Sequence, residues 1–203
     1  METIFVETEF GKVHGKAAGN RSDPLVLGLH GWSQRNGWHT WEPLLPPLAD
    51  AGFYVVSVDM PGWGQSVPAK PEPLTNGALS NGRYLDAVLA ILDGLTSGQT
   101  ILMGKSWGGG LAINLALTYP QRVSKLILTA PAFRELERLA QLAQPTLLAW
   151  AEDDPVIPFS YAAQFAAAIP NCQLATYPTG GHSAAQKNAA DFAPRAIEFL
   201  RET

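Results

Sequence analysis

The sequence is poor in cysteine, in charged residues and in long apolar runs. Its single cysteine, Cys172, can neither form an intrachain disulfide nor supply a metal site made of several thiolates. Lys and Arg number 14 against 18 Asp and Glu, which gives a net charge of −4. A basic surface for nucleic acid or anionic membranes is therefore not expected. No apolar run approaches the roughly 18 residues that a membrane span needs.

The composition that remains is that of a folded domain. Apolar residues make up 46% and charged residues 16% of the chain, which is too apolar for disorder. A chain of 203 residues buries roughly 70% of its surface on folding, enough for one domain, so we expect residues 1–203 to form a single domain. The start, Met1-Glu2-Thr3-Ile4, lacks the basic and apolar regions of a signal peptide, and we expect a cytoplasmic protein.

Short apolar runs alternate with helix-like stretches along the chain. Eight runs are expected to be strands: Ile4–Glu9, Lys12–Ala17, Leu25–Leu29, Tyr54–Val58, Thr100–Met103, Val123–Leu128, Thr146–Ala151 and Gln173–Tyr177. Helices are expected at Trp38–Ala51, Asn81–Leu95, Trp107–Tyr119, Ser160–Ile169 and Ala190–Arg201. Pro46-Pro47 should end or kink the first of them. A loose loop is expected at Pro68–Pro73. This alternation predicts an α/β fold with a mainly parallel sheet covered on both faces. Its chemistry would lie beyond the carboxyl ends of the strands.

A candidate nucleophile follows the strand Thr100–Met103. The segment Gly104–Gly110 contains G-x-S-x-G with Ser106 at its centre, between a strand and a helix. A sharp turn there needs small neighbours and leaves the serine hydroxyl clear of the sheet. The segment also mimics the end of a phosphate-binding loop, but that pattern needs glycine at the position of Gln99. A glycine-rich helix start that serves packing alone is the other alternative.

A serine nucleophile needs a base, and the base needs a carboxylate to orient it. Of the four histidines only His182 follows Ser106, in a glycine-rich turn before the last helix. Glu152, Asp153 and Asp154 follow the strand Thr146–Ala151, and spacing alone does not choose among them.

Backbone N–H groups that could stabilise an oxyanion are expected at two neighbouring strand ends. The run Leu25–Leu29 ends in His30-Gly31-Trp32, and Trp107 directly follows Ser106. The N–H groups of Trp32 and Trp107 could converge on one carbonyl oxygen. We interpret His30 as a structural residue that holds this loop.

Five segments in order resemble the α/β-hydrolase superfamily: His30-Gly31-Trp32, Asp59–Ser66, Gly104–Gly109, Asp154–Pro158 and Gly181-His182. The resemblance implies an α/β-hydrolase fold with Ser106 as nucleophile and His182 as base. The family's acid lies four residues before a proline, which implies Asp154, and Trp32 and Trp107 would supply the oxyanion hole. The chain departs from the family at Lys105, where His, Phe or Tyr is frequent, and at Ala151, where glycine is frequent.

Many relatives insert a lid where this chain has only Ala130–Gln144, enough for one helix such as Arg134–Leu142. We therefore expect no cap domain and an uncovered site. Trp63 and Phe133, with the two oxyanion tryptophans, are expected to form an aromatic substrate-binding mouth suited to small acyl groups.

These features predict a serine hydrolase that cleaves a small carboxylic ester, thioester or activated amide through an acyl-enzyme. The partner is expected to be a small-molecule acyl substrate, with no cofactor, no metal, no nucleic acid and no membrane. A protein partner at the Ser33–Asn36 loop is left open. The alternatives are a cofactor-free perhydrolase or haloperoxidase with the same triad, and a non-catalytic binding module on the same fold.

Overall fold

One sheet runs through the computed structural model, which describes residues 1–68 and 81–202. Its strands are rich in β-branched and other apolar residues, and the central ones are buried along their whole length. The strands are β1 (Glu2–Thr8), β2 (Gly11–Ala18), β3 (Leu25–Leu29), β4 (Tyr54–Val58), β5 (Val67–Pro68), β6 (Thr100–Lys105), β7 (Val123–Thr129), β8 (Thr146–Ala151) and β9 (Cys172–Tyr177).

The strand order places the loops that follow β3 and β6 side by side. The order is β1-β2-β4-β3-β6-β7-β8-β9, and β5 pairs with β2. Strands β4, β3, β6, β7, β8 and β9 are parallel, whereas β1, β2 and β5 pair antiparallel. From β3 the chain goes first to β4 on one side and later to β6 on the other. The carboxyl ends of β3 and β6 therefore form a topological switch point, where α/β sheets bind ligands.

Helices cover both faces of the sheet and form two cores. One core contains residues of α2 (Asn81–Leu95), α3 (Trp107–Thr118) and α4 (Ser160–Ala168). The other contains residues of α1 (Leu45–Asp50), α5 (Ala184–Lys187) and α6 (Ala189–Arg201). Within the described ranges, no helix is both long and apolar enough to cross a membrane.

The predicted α/β-hydrolase fold is confirmed, with the eight expected strands present and the two-residue β5 in addition. Most of the predicted loop Pro68–Pro73 (residues 69–73) lies outside the described residues. The predicted helix Trp38–Ala51 is instead a 3₁₀ segment, Trp38–Leu44, followed by α1. Pro46 and Pro47 lie in the first turn of α1, where the missing N–H groups would have no helical partner in any case.

The segment between β7 and β8 contains no cap domain, as expected. The helix predicted at Arg134–Leu142 is a shorter 3₁₀ segment, Leu136–Gln141. These few residues must return from the carboxyl edge of the sheet to its amino edge. A 3₁₀ helix rises about 2.0 Å per residue against about 1.5 Å for an α-helix, which suits so short a crossover.

Candidate active site

Ser106 stands in a strained turn between β6 and α3. Its φ of 52° and ψ of −118° lie outside the regions that side chains ordinarily adopt. The turn is held on both sides, because the Ser106 N–H donates to Thr129 O (2.9 Å) and the Ser106 carbonyl accepts from Ala132 N (2.8 Å) and Gly110 N (3.0 Å). The strain is therefore fixed by the surrounding backbone.

The glycines around Ser106 allow a close approach of backbones. A Cβ on Gly104 would lie 2.6 Å from the carbonyl oxygen of Gly108, and one on Gly108 would lie 2.5 Å from the carbonyl oxygens of Leu29 and His30. Side chains at these positions would push α3 away from β6 and β3. The G-x-S-x-G spacing thus has a steric cause at this turn.

Asp154 and His182 meet at the carboxyl ends of β8 and β9. His182 Nδ1 lies 2.9 Å from Asp154 Oδ2 and 3.2 Å from Oδ1. The Asp154 side chain is fully buried, and its Oδ1 also accepts the N–H groups of Val156 (2.8 Å) and Ile157 (3.1 Å). Asp153 has a different contact, since its Oδ1 accepts the N–H of Gly181 at 2.6 Å. Of these neighbouring acids, Asp154 is therefore the one that orients the imidazole, and Asp153 fixes the turn that carries it.

The second contact of the predicted triad, between His182 and Ser106, is not formed. His182 Nε2 is buried and has no hydrogen-bond partner among the described residues, Ser106 Oγ included. With Nδ1 donating to Asp154, Nε2 is left with a free lone pair. Such hydrogen bonds are often long without substrate and shorten when it binds.

His30 holds the loop that carries Trp32. Its Nε2 accepts the Met60 N–H (3.0 Å), so the ring proton lies on Nδ1, which donates to the Gly31 carbonyl (2.7 Å). Burial lowers the pKa of His30 to about 4, against the weaker opposing effects of that hydrogen bond and of Asp59, so the ring is neutral. The interpretation of His30 as a structural residue agrees with these contacts.

This arrangement also orients the Trp32 N–H. In a planar trans peptide the carbonyl and the following N–H point in opposite directions. Because the Gly31 carbonyl is turned toward His30, the Trp32 N–H points away from it. The Cβ position of Gly31 lies 3.6 Å from Ser106 Cβ, so this peptide is beside the serine. Trp107, the other predicted donor, is the first residue of α3, where N–H groups have no helical partner.

Aromatic rings pack tightly next to this loop. Trp32 is 45% exposed and contacts Trp63, Tyr84 and Trp107 at centroid distances of 5.2, 5.9 and 5.1 Å. Trp63, by contrast, is buried, and its indole N–H donates to the carbonyls of Trp32 (3.1 Å) and Ser33 (3.2 Å). The structure thus gives the predicted substrate-binding residue Trp63 the contacts of a loop support, because its ring lies beneath Trp32. Tyr84, which the sequence did not indicate, completes the cluster.

An open cavity of about 1000 Å³ lies on the other side of Ser106. Phe133, the other predicted substrate-binding residue, lines it together with Ser106, Val156 and Tyr161. Val156 and Tyr161 are 62% and 39% exposed, so apolar groups stand at the rim. Neither residue was predicted, since nothing in the sequence places α4 opposite the turn after β7.

The described residues contain no group of three or more His, Cys, Asp or Glu side chains that could hold a metal ion. The groups described at this edge of the sheet are a serine, an oriented imidazole and backbone N–H groups.

Two family models match the sequence along most of the chain. A model described as alpha/beta hydrolase fold matches residues 24–140, and one described as TAP-like protein matches residues 128–202. The chain belongs to the alpha/beta hydrolase fold family.

Similar proteins carry hydrolase names. The chain is 34% identical over 123 residues to the AB hydrolase superfamily protein YfhM of Bacillus subtilis, a match that covers 61% of the chain and 41% of that protein. It is 26% identical to a 2-hydroxy-6-oxononadienedioate/2-hydroxy-6-oxononatrienedioate hydrolase of Cupriavidus pinatubonensis, covering 96% of the chain and 92% of that protein. That alignment runs over 275 positions against a chain of 203, so the relative carries insertions that this chain lacks.

Solved structures show the same fold. A crystal structure described as a predicted CIB-like hydrolase from Thermoplasma acidophilum matches with a TM-score of 0.88 at 24% identity, covering 98% of this chain and 97% of that one. At this identity the match shows the fold alone.

Proposed function

We propose that the protein is a serine hydrolase that cleaves small carboxylic esters or thioesters through an acyl-enzyme. Ser106 is the nucleophile, His182 removes its proton, and Asp154 orients the imidazole and stabilises its charged form. The N–H groups of Trp32 and Trp107 bind the oxyanion. The proposal rests most on one observation: the His182 ring is anchored through Nδ1 to a buried carboxylate while Nε2 is left without a partner.

The backbone at Ser106 supports the same roles. A residue held at φ 52° by three backbone hydrogen bonds presents its side chain in a fixed direction, and such strain persists mainly where function needs it. The proposal requires His182 Nε2 and the Ser106 hydroxyl to come within hydrogen-bond distance when substrate binds. After the alcohol or thiol of the substrate has left, water takes its place, and the same imidazole activates this water.

The open cavity beside Ser106 supports small or exposed substrates. Its rim carries Val156 and Tyr161, and its floor includes Phe133, so an apolar acyl or leaving group would bury surface there. No cap encloses it among the described residues between β7 and β8. We therefore expect acetyl and butyryl esters to react faster than long-chain esters.

Labelling by a fluorophosphonate probe tests the proposal directly. The wild-type protein should be labelled at Ser106 and should hydrolyse 4-nitrophenyl acetate, whereas Ser106→Ala should do neither. Thr129→Ser, a conservative change next to the turn, serves as the folding control. Hydrolysis by Ser106→Ala near the wild-type rate would exclude this mechanism. Peracid formation on addition of peroxide would identify a perhydrolase instead.

A further inference from the structure

Two lysines lie on one side of the candidate triad. Lys105 is the last residue of β6 and directly precedes Ser106. Because side chains alternate along a strand and Gly104 faces α3, Lys105 faces the sheet side covered by α5. Lys187 is the last residue of α5, and its Nζ lies 3.9 Å from the Cβ position of Gly181, the residue before His182. Lys187 thus lies beside the turn that carries His182, and Lys105 lies on the same side of the sheet, away from the cavity lined by Phe133 and Val156.

Neither lysine has a counter-ion among the described residues. Both lack a carboxylate within 4.0 Å and a hydrogen-bond acceptor, although Lys105 is more than half buried. Two acids of the turn after β8 are already engaged: Asp154 with His182 and two backbone N–H groups, and Asp153 with the Gly181 N–H. A partly desolvated ammonium without a partner is unfavourable.

The charges also act on one another. Burial lowers the pKa of Lys105, and the positive charge of Lys187 lowers it further, against the opposing effect of Asp154. Since both groups are positive and close enough to interact, an anion between them would relieve the repulsion and the desolvation together.

We propose that Lys105 and Lys187 bind a carboxylate carried by the substrate whose ester carbonyl Ser106 attacks. This inference rests on the proposed serine hydrolase function and deepens it by naming the substrate class. The apolar part of the ester occupies the cavity at Phe133 and Val156, and its anionic end lies on the α5 side. Ammonium–carboxylate hydrogen bonds of this kind are among the stronger ones in proteins.

Paired ester substrates test the proposal. The measured quantity is the ratio of kcat/KM for 4-nitrophenyl hemisuccinate to that for neutral 4-nitrophenyl acetate. We expect Lys105→Met and Lys187→Met each to lower this ratio about tenfold or more. Lys105→Arg and Lys187→Arg should keep it within about threefold, because the positive charge is retained. The matched control is Lys12→Met, an exposed lysine on β2, three strands from β6, which should leave the ratio unchanged.

A third substrate locates the carboxylate. 4-Acetoxybenzoate carries it on the leaving group, so a loss confined to this ester assigns the lysines to the leaving-group side, and a loss confined to the hemisuccinate assigns them to the acyl side. In wild type, 1 M salt should lower the ratio, because screening weakens the attraction at an open site.

The outcomes separate the two proposals. Equal losses for neutral and anionic esters would show that the lysines only support the fold. The lysine site would be overturned if neither anionic ester loses kcat/KM relative to the neutral acetate in either Met variant. If no ester is cleaved in a Ser106-dependent way, the proposed function fails. The lysine site is then tested by calorimetric titration with succinate, which should bind wild type at least about tenfold more tightly than the double Met variant. Lys187 is exposed, so its variant is expected to fold even where Lys105→Met does not.

Discussion

Two histidine–carboxylate pairs in this molecule have the same geometry and different surroundings. Asp59 follows β4 and contacts His14 Nδ1 at 2.8 Å, and Asp154 follows β8 and contacts His182 Nδ1 at 2.9 Å. Strands β4 and β8 each lie two places from β6, on opposite sides. Both carboxylates are buried, and each accepts two backbone N–H groups besides the imidazole.

The difference lies in the histidine. His14 is inside β2, where it is 1% exposed, and its backbone N–H donates to Ser66 Oγ, so the pair ties β2 to the loop after β4. His182 is on a turn after the last strand, partly exposed, and its Nε2 has no partner in the described ranges. A buried histidine–carboxylate pair therefore does not by itself indicate catalysis. The position of the His182 ring in a turn beyond the carboxyl end of β9 is what distinguishes the candidate site.

The largest effect should come from removing either member of the reacting pair. We expect Ser106→Ala and His182→Ala each to lower kcat for 4-nitrophenyl acetate by about 10⁴- to 10⁶-fold, with little further loss in the double variant, because the groups act as a unit. His14→Ala should retain kcat in the folded fraction. Comparable losses at His14 and His182 would remove the distinction between the two pairs.

The next largest loss is expected for Asp154→Asn, which should reduce kcat about 10⁴-fold. The amide no longer favours the Nδ1-protonated ring or stabilises its charged form, while the shape is kept. The thermal midpoint, measured by circular dichroism, should change little compared with the loss of activity. Asp153→Asn is the matched control, since Asp153 contacts only the Gly181 N–H, and it should retain most of the activity. If the two variants lose activity equally, Asp154 is not the orienting acid.

Asp59→Ala should affect stability instead. It leaves the imidazole of His14 and the N–H groups of Trp38 and Gln65 without an acceptor in a buried site. We expect the free energy of unfolding in urea to fall by about 3–5 kcal/mol. An exposed acid such as Glu7, paired with Lys12 at the surface, should cost less than about 1 kcal/mol when replaced by Ala. A loss of that smaller size at Asp59 would contradict its structural role.

The smallest effect concerns pH and His30. Its pKa is about 4 in the folded protein against 6.5 in the unfolded chain, so the unfolded chain binds the proton first as the pH falls. The free energy of unfolding is therefore highest above pH 6.5, where His30 is neutral in both states. It falls by about 3 kcal/mol as the pH drops toward 4. His30→Gln should reduce the slope of unfolding free energy against pH in this window. The exposed His39→Gln should not, and equal slopes in wild type and His30→Gln would contradict the assignment.

Much of the fold was predictable because local patterns and burial agree. The fully buried strands β3, β4 and β8 read as continuous apolar runs, and helices α2 and α6 begin within a residue of their predicted starts. The 3₁₀ segments at Trp38–Leu44 and Leu136–Gln141 were predicted as helix, because apolar spacing does not distinguish the two helix types.

The site was predictable only in part. Ser106 could be placed from its glycines, whose spacing has a local steric cause. The role of Trp63 could not, because nothing local indicates that its ring lies beneath Trp32 and binds two loop carbonyls. Tyr161 and Lys187 likewise come to the site from α4 and α5, elements whose distance from Ser106 depends on how the sheet is ordered.

Local chain chemistry thus determined the strands and the sharp turn at Ser106, since each depends on neighbours within a few residues, and chain order singled out His182 among the four histidines. Tertiary structure decided which acid contacts His182, which histidine is buried within the sheet, and which lysines lie near the candidate site. Those choices depend on residues far apart in the chain whose side chains meet only after the parallel strands have aligned their carboxyl ends.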